Sequence, residues 1–304
     1  MVWFGKVVCA LPRRGKMTTQ YPLNPPTFWT RFTAIGLFLI FGALIMVVFS
    51  PWRPLFEPTT DLFGRLGLIT LLAFLVGVTR KKPACRLIWP LLLGLLIMAV
   101  AVSLMWIVAN YLIDNFGLTG QTPQGMAWLK LSDFVIVAVV VISFSRALGF
   151  SYEDLYLQKG KLPLGLWLGV GTFLLAAALA IPGGMLLFNL NPDGLTGWKS
   201  WLPWLLVFVF ANGAMEEILF RGLFLKKFEP LLGNFPANLT IAVVFSVLHI
   251  GVDYTNDQLL FAGVVFLLAL GFGAVTQKTR ALWPAILFHA GMDIAVMLGI
   301  FTNF

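Results

Sequence analysis

Two adjacent carboxylates and an arginine, Glu216, Glu217 and Arg221, stand inside a long apolar run, with Trp201–Phe210 before them and Leu223-Phe224-Leu225 after. A bare charge at the centre of a membrane helix costs on the order of 2.5–3.5 kcal/mol on insertion scales, so ionisable groups there are functional candidates. The chain has only two histidines, His249 and His289, and both also lie in apolar segments. Glu217 and Arg221 are four apart, hence on one helical face and able to pair. Glu216 lies about 100° further round the helix and is free to point elsewhere. Phe245 and His249 are four apart, as are His289 and Asp293. Peptide hydrolysis in a bilayer needs a water, a base to activate it, and donors for the oxyanion. Glu216, partly desolvated, suits the base. His249 can hold and polarise the same water. His289 can donate to the oxyanion, with Asp293 one turn on to fix its tautomer or join the site. Glu217 with Arg221 would hold the helix that aims Glu216. Each group also has a plainer reading, the Glu–Arg pair as a clamp and either histidine as an interhelical hydrogen-bonder. Their joint presence at compatible depths favours a site.

The elements that must carry these groups are membrane spans. The chain of 304 residues is 59% hydrophobic and 11% charged, with mean hydropathy +0.90, whereas soluble domains carry roughly 25% charge. Its apolar runs match a hydrocarbon core about 30 Å thick. The class is all-α, a polytopic transmembrane helical bundle of about 8–9 spans. The spans read as 32–49, 62–78, 89–113, 134–150, 164–188, 201–228, 236–250, 259–276 and 282–301. At about 1.5 Å per residue, Glu216, His249 and His289 each fall roughly 10–20 Å from the cytoplasmic helix ends. Gly165 and Gly169 are spaced for close helix approach. Residues 152–163 read as an amphipathic connector along the interface.

Three regions follow: an N-terminal cytoplasmic extension at 1–31, expected to be poorly ordered; N-terminal helices and connectors at 32–199; and core helices at 200–304 that hold the polar groups. Met17 is an alternative start, which would make 1–16 an extension without function. Basic clusters at 1–31, 80–86, 146–161, 226–227 and 278–280 fall on every second loop. The positive-inside rule then places the N-terminus in the cytoplasm and the C-terminus outside, in a plasma membrane or a bacterial inner membrane. The net charge of +8 is explained by these loops and does not call for nucleic acid. Cys9 and Cys85 fit neither a disulfide framework nor a zinc motif and are expected as free thiols.

Glu216-Glu217-x-x-x-Arg221, Phe245-x-x-x-His249 and His289-x-x-x-Asp293 together resemble the three motifs of the CPBP family, the CAAX prenyl endopeptidases of the Ras-converting type and their bacterial, ABI-related homologues. The resemblance covers roughly 200–300. It implies a glutamate-type intramembrane endopeptidase in which Glu216 and His249 activate water while His289 and Asp293 stabilise the oxyanion. Glu217, Arg221 and Phe245 support the site. The implied substrate is a membrane-associated peptide or lipidated protein, CAAX-like and prenylated in the family's pattern, met within membrane lipid. No cofactor is expected; a zinc ion held by Glu216, His249 and His289 is the mechanistic alternative. A non-catalytic scaffold or immunity protein keeping the polar cluster is the alternative from another class. A proton-coupled transporter is a third, disfavoured because the two halves show no repeat. His-Glu-x-x-His, Gly-x-Ser-Gly and Gly-x-Gly-Asp are all missing, against the other intramembrane protease classes, and Asn191-Pro192-Asp193-Gly194 reads as a turn.

Overall fold

Apolar side chains around most of each helix leave the backbone to satisfy itself, which in lipid only a helix or a closed barrel can do. The computed structural model describes residues 26–304, and every regular element among them is helical. Expectations for residues 1–25, Cys9 included, lie outside the described residues. The helices are α1 (Phe28–Val48), α2 (Pro58–Arg80), α3 (Trp89–Phe116), α4 (Pro123–Ala147), α5 (Leu162–Ala178), α6 (Ala180–Leu187), α7 (Trp198–Glu217), α8 (Lys226–Leu232), α9 (Asn234–Leu248), α10 (Gln258–Thr279) and α11 (Trp283–Phe301). Among the described residues, seven helices are long and apolar enough to cross a membrane, or eight if the bent pair α5–α6 counts as one. This makes a polytopic helical bundle at the lower edge of the expected span count.

Several boundaries differ from expectation for identifiable reasons. The first helix begins at Phe28, where the Thr27 hydroxyl accepts from Thr30 N–H. The fourth begins at Pro123 rather than near 134, because Thr122 caps it and a first-turn proline forfeits no helical hydrogen bond. The fifth span is broken, bent by 59° between α5 and α6. The seventh, α9, has only 15 residues, about 22 Å at the α-helical rise, which is short of a full crossing. The 152–163 connector holds one short turn before α5 begins at Leu162. Its 3₁₀ turn Tyr152–Leu155 carries a Ser151–Asp154 capping box, and Leu155 and Tyr156 are buried. Lys226 Nζ donates to the Glu153 carbonyl and the Tyr156 hydroxyl to Glu229, which pins the connector to the end of α8.

The core lies where α7 and the π-helical stretch Ile218–Leu225 that continues it pass between α3, α4 and α11. Phe38 of α1 packs on Phe224 and Phe228 with ring centroids 4.9 and 5.0 Å away. Gly165 and Gly169 are contact points: a Cβ on Gly165 would come within 2.5 Å of Trp283, and one on Gly169 within 2.9 Å of Pro284 Cα. They seat the start of α11 against α5, and α11 carries His289. Residues 191–194 form the expected turn, with Asp193 N–H donating to Asn191 Oδ1.

Candidate active site

Glu217 and Arg221 are both fully buried. Arg221 Nη1 donates to Glu217 Oε1 at 2.8 Å and Nη2 to the Ala269 carbonyl of α10 at 3.0 Å. The guanidinium also lies 4.7 Å from the Phe245 ring centroid and 5.3 Å from that of Phe272. A single arginine thereby joins α7, α9 and α10. Glu217 Oε1 has a second partner, since His289 Nδ1 lies 2.9 Å from it. A carboxylate accepts, so Nδ1 carries the hydrogen. Glu217 is the group that holds His289 through Nδ1, and Asp293, expected to fix the tautomer or join the site, lies on the Nε2 side.

With Nδ1 engaged, His289 Nε2 faces two more carboxylates, Glu216 Oε2 at 3.5 Å and Asp293 Oδ1 at 3.7 Å. The imidazole is stacked flat on Phe272, 4.6 Å between centroids and 10° between planes, and Phe245 meets it edge-on at 5.8 Å. These rings fix the plane in which Nε2 points. Glu216 Oε2 is buried and accepts no hydrogen bond among the described residues. Such an orphan costs about 1–3 kcal/mol unless something fills its valence, so the carboxylate is set for a water or a substrate proton.

Asp293 has a partner that sequence spacing did not single out. Asn212, one turn before Glu216 on α7, donates Nδ2–H to Asp293 Oδ2 at 2.9 Å. An amide four residues before Glu216 in an apolar helix was the available signal. Gly213 makes the contact geometry accessible, since a Cβ there would sit 3.1 Å from Ala290 N and 3.2 Å from the Ile286 carbonyl. Helices α7 and α11 therefore touch backbone to backbone where their polar residues face each other.

His249 is placed differently. It is the C-cap of α9, and its Nδ1 lies 2.7 Å from the Phe245 carbonyl. A carbonyl only accepts, so Nδ1–H donates and the Nε2 lone pair is left available. Among the described residues His249 makes no direct hydrogen bond or ion pair with Glu216; Phe245 bridges the two histidines, its ring 4.6 Å from His249 and 5.8 Å from His289. Tyr254, in the loop after α9, completes the surround. Its ring lies 5.9 Å from Phe261, which lies 6.2 Å from His249. Burial, then the charges of Glu216 and Asp293, push its phenol well above the ordinary tyrosine range, which keeps it a donor. Among the described residues no group of three His, Cys, Asp or Glu side chains is arranged to hold a metal ion.

A buried ion pair that grips one imidazole, an unsatisfied glutamate facing it and an Asn–Asp pair alongside define the class: a polytopic membrane protein with a buried polar cluster among its spans. Residues 198–295 match the Rce1-like family, described as type II CAAX prenyl endopeptidase Rce1-like. The match covers about a third of the chain and takes in every residue of the cluster, so this part of the chain is similar to that family. No curated protein and no solved structure matches the chain.

Proposed function

We propose that the protein is a glutamate-type, metal-free endopeptidase that cuts a prenylated CAAX-like peptide at the membrane. Glu216 takes a proton from a water whose second hydrogen is accepted by His249 Nε2. The hydroxide adds to the scissile carbonyl, and the protonated Glu216 then delivers its proton to the departing amine. With Nδ1–H given to Glu217 and Nε2 facing two further carboxylates, His289 acts as the imidazolium, and its Nε2–H together with Asn212, working with Asp293, stabilises the oxyanion. A proton on Asp293 or a turn of the Asn212 amide supplies the donor that an ionised Asp293 lacks. Oxyanion donors of this kind are worth about 10²–10³ in rate each. Glu217 and Arg221 position His289 and do not touch substrate.

The observation that carries this reading is the His289 imidazole held by Glu217 through Nδ1, with Nε2 turned to Glu216 and Asp293. A scaffold gains nothing from the unsatisfied Glu216 Oε2. The alternation of basic loops along the sequence supports a cytoplasmic N-terminus and a C-terminus outside. The test is purified protein in lipid with a farnesylated CAAX peptide, read by mass spectrometry. Release of the C-terminal tripeptide by the unaltered protein, and its loss in Glu216→Gln, is expected. An intact peptide with unaltered, folded protein overturns the substrate assignment.

A further inference from the structure

Three charged groups outside the site are connected to it through one loop. On α2, the buried Arg65 donates Nε–H to Asp61 Oδ2 at 2.6 Å and Nη2–H to the Ser50 carbonyl at 3.1 Å, with its guanidinium 4.9 Å from the Trp106 ring centroid. A buried ion pair contributes little net stability of its own. This one grips the loop between α1 and α2. Ser50 Oγ in turn accepts the N–H groups of Trp52 and Arg53, both at 3.3 Å. The Trp52 ring is held from the other side by Lys130 of α4, whose Nζ lies 5.0 Å from its centroid.

The loop so fixed presents Arg53 beside the turn that follows His249. Arg53 Nη1 lies 3.3 Å from where a Cβ on Gly251 would sit, and Gly251, at φ +84°, is the second residue after His249. A side chain there would have to displace the guanidinium, and L-residues rarely adopt that backbone conformation. Arg53 is exposed, and among the described residues its guanidinium has neither an ion pair nor a hydrogen-bond acceptor. The acidic residue of the facing loop, Asp253, does not pair with it. Tyr254 is within electrostatic reach of Glu216, Asp293, Arg53 and Asp253.

We propose that Arg53 binds the C-terminal carboxylate of the substrate and thereby selects chains that end just beyond the scissile bond. This rests on the function proposed above and deepens it. A CAAX sequence ends three residues after its cysteine, so the terminal carboxylate stands about 10 Å beyond the bond that is cut. Two residues of backbone between His249 and Gly251 reach at most about 7 Å, and the arginine fork overlies the far end of that stretch. Guanidinium recognises carboxylate through two parallel N–H···O bonds, geometry that lysine does not reproduce.

The test compares two farnesylated peptides of one sequence, ending in a free carboxylate or a carboxamide, on the full-length protein in lipid. The unaltered protein should prefer the acid by about tenfold or more in kcat/KM, as befits a hydrogen bond to a charged group. In Arg53→Gln that preference should fall to within about threefold of unity, through KM, and in Arg53→Glu it should invert. Arg53→Lys should keep only part of it. Turnover of the amide peptide reports folding in each variant. If the unaltered protein cuts both peptides equally, or Arg53→Gln keeps the full preference, the carboxylate site is wrong while the endopeptidase reading stands. If the unaltered protein cuts neither peptide, both fail.

Discussion

Glu217 offers the sharpest separation between holding the fold and holding the site. Its Oε1 serves both Arg221 Nη1 at 2.8 Å and His289 Nδ1 at 2.9 Å. Changing Glu217 to leucine alone strands a buried guanidinium that keeps only the Ala269 carbonyl, and breaking a buried pair this way costs about 3–5 kcal/mol. Changing Glu217 to leucine and Arg221 to methionine together removes both charges. Glu217 Oε2 and Arg221 Nε are unsatisfied already, so the apolar pair should lie within about 1–2 kcal/mol of the unaltered protein or above it. The double variant still lacks the acceptor that orients His289, and a misplacement of about 1 Å can cost about 100-fold in rate. Unfolding in mixed micelles measures the stability, and tripeptide release measures kcat. The expected pattern is stability lost in the single variant and recovered in the double, with kcat low in both. A double variant that regains the original kcat would refute the orienting role and leave Glu217–Arg221 a structural clamp. A single variant that unfolds like the unaltered protein would refute the energetic argument.

Asn212→Leu removes the Asp293 Oδ2 partner and should lower kcat by about 10²-fold with little change in KM, as loss of an oxyanion group does; an effect confined to KM would assign Asn212 to binding. Gly213→Val forces α7 and α11 apart at the 3.1 Å approach to Ala290 N and should cost about 1–3 kcal/mol, together with most of the activity. Prolonged dialysis against a chelator should leave peptide cleavage intact, with metal content followed by elemental analysis. The Tyr254 phenol is held above its ordinary 10.0 by burial first. The folded state therefore keeps that proton when the unfolded state gives it up. Stability from this group is complete below about pH 10 and falls as pH rises beyond it, and Tyr254→Phe should flatten that alkaline decline in an unfolding series.

Charges in apolar runs made the membrane class and most of the cluster legible, because lipid leaves few reasons to bury a Glu, an Arg or a His. Spacing of four residues correctly placed Glu217 beside Arg221. It did not reveal that His289 donates its Nδ1–H to Glu217, since that choice depends on how α7 and α11 cross at Gly213. Asn212 was missed because an amide is tolerated in spans and lacks the cost that marks a charge. The shortness of α9 and the 59° break between α5 and α6 were hidden by continuous hydropathy, which measures length of apolar sequence and not direction of the chain. Tyr254 and Arg53 lie in loops, where no period exists to relate them to a helix face.

The central claim is that Glu216 activates the water that enters the product. Cleavage of the farnesylated peptide in isotopically labelled water measures it directly. The account predicts one labelled oxygen in the new carboxyl of the lipidated fragment from the unaltered protein, and incorporation slowed by at least about 10²-fold in Glu216→Gln. Labelled product formed by folded Glu216→Gln at a rate close to that of the unaltered protein would contradict it.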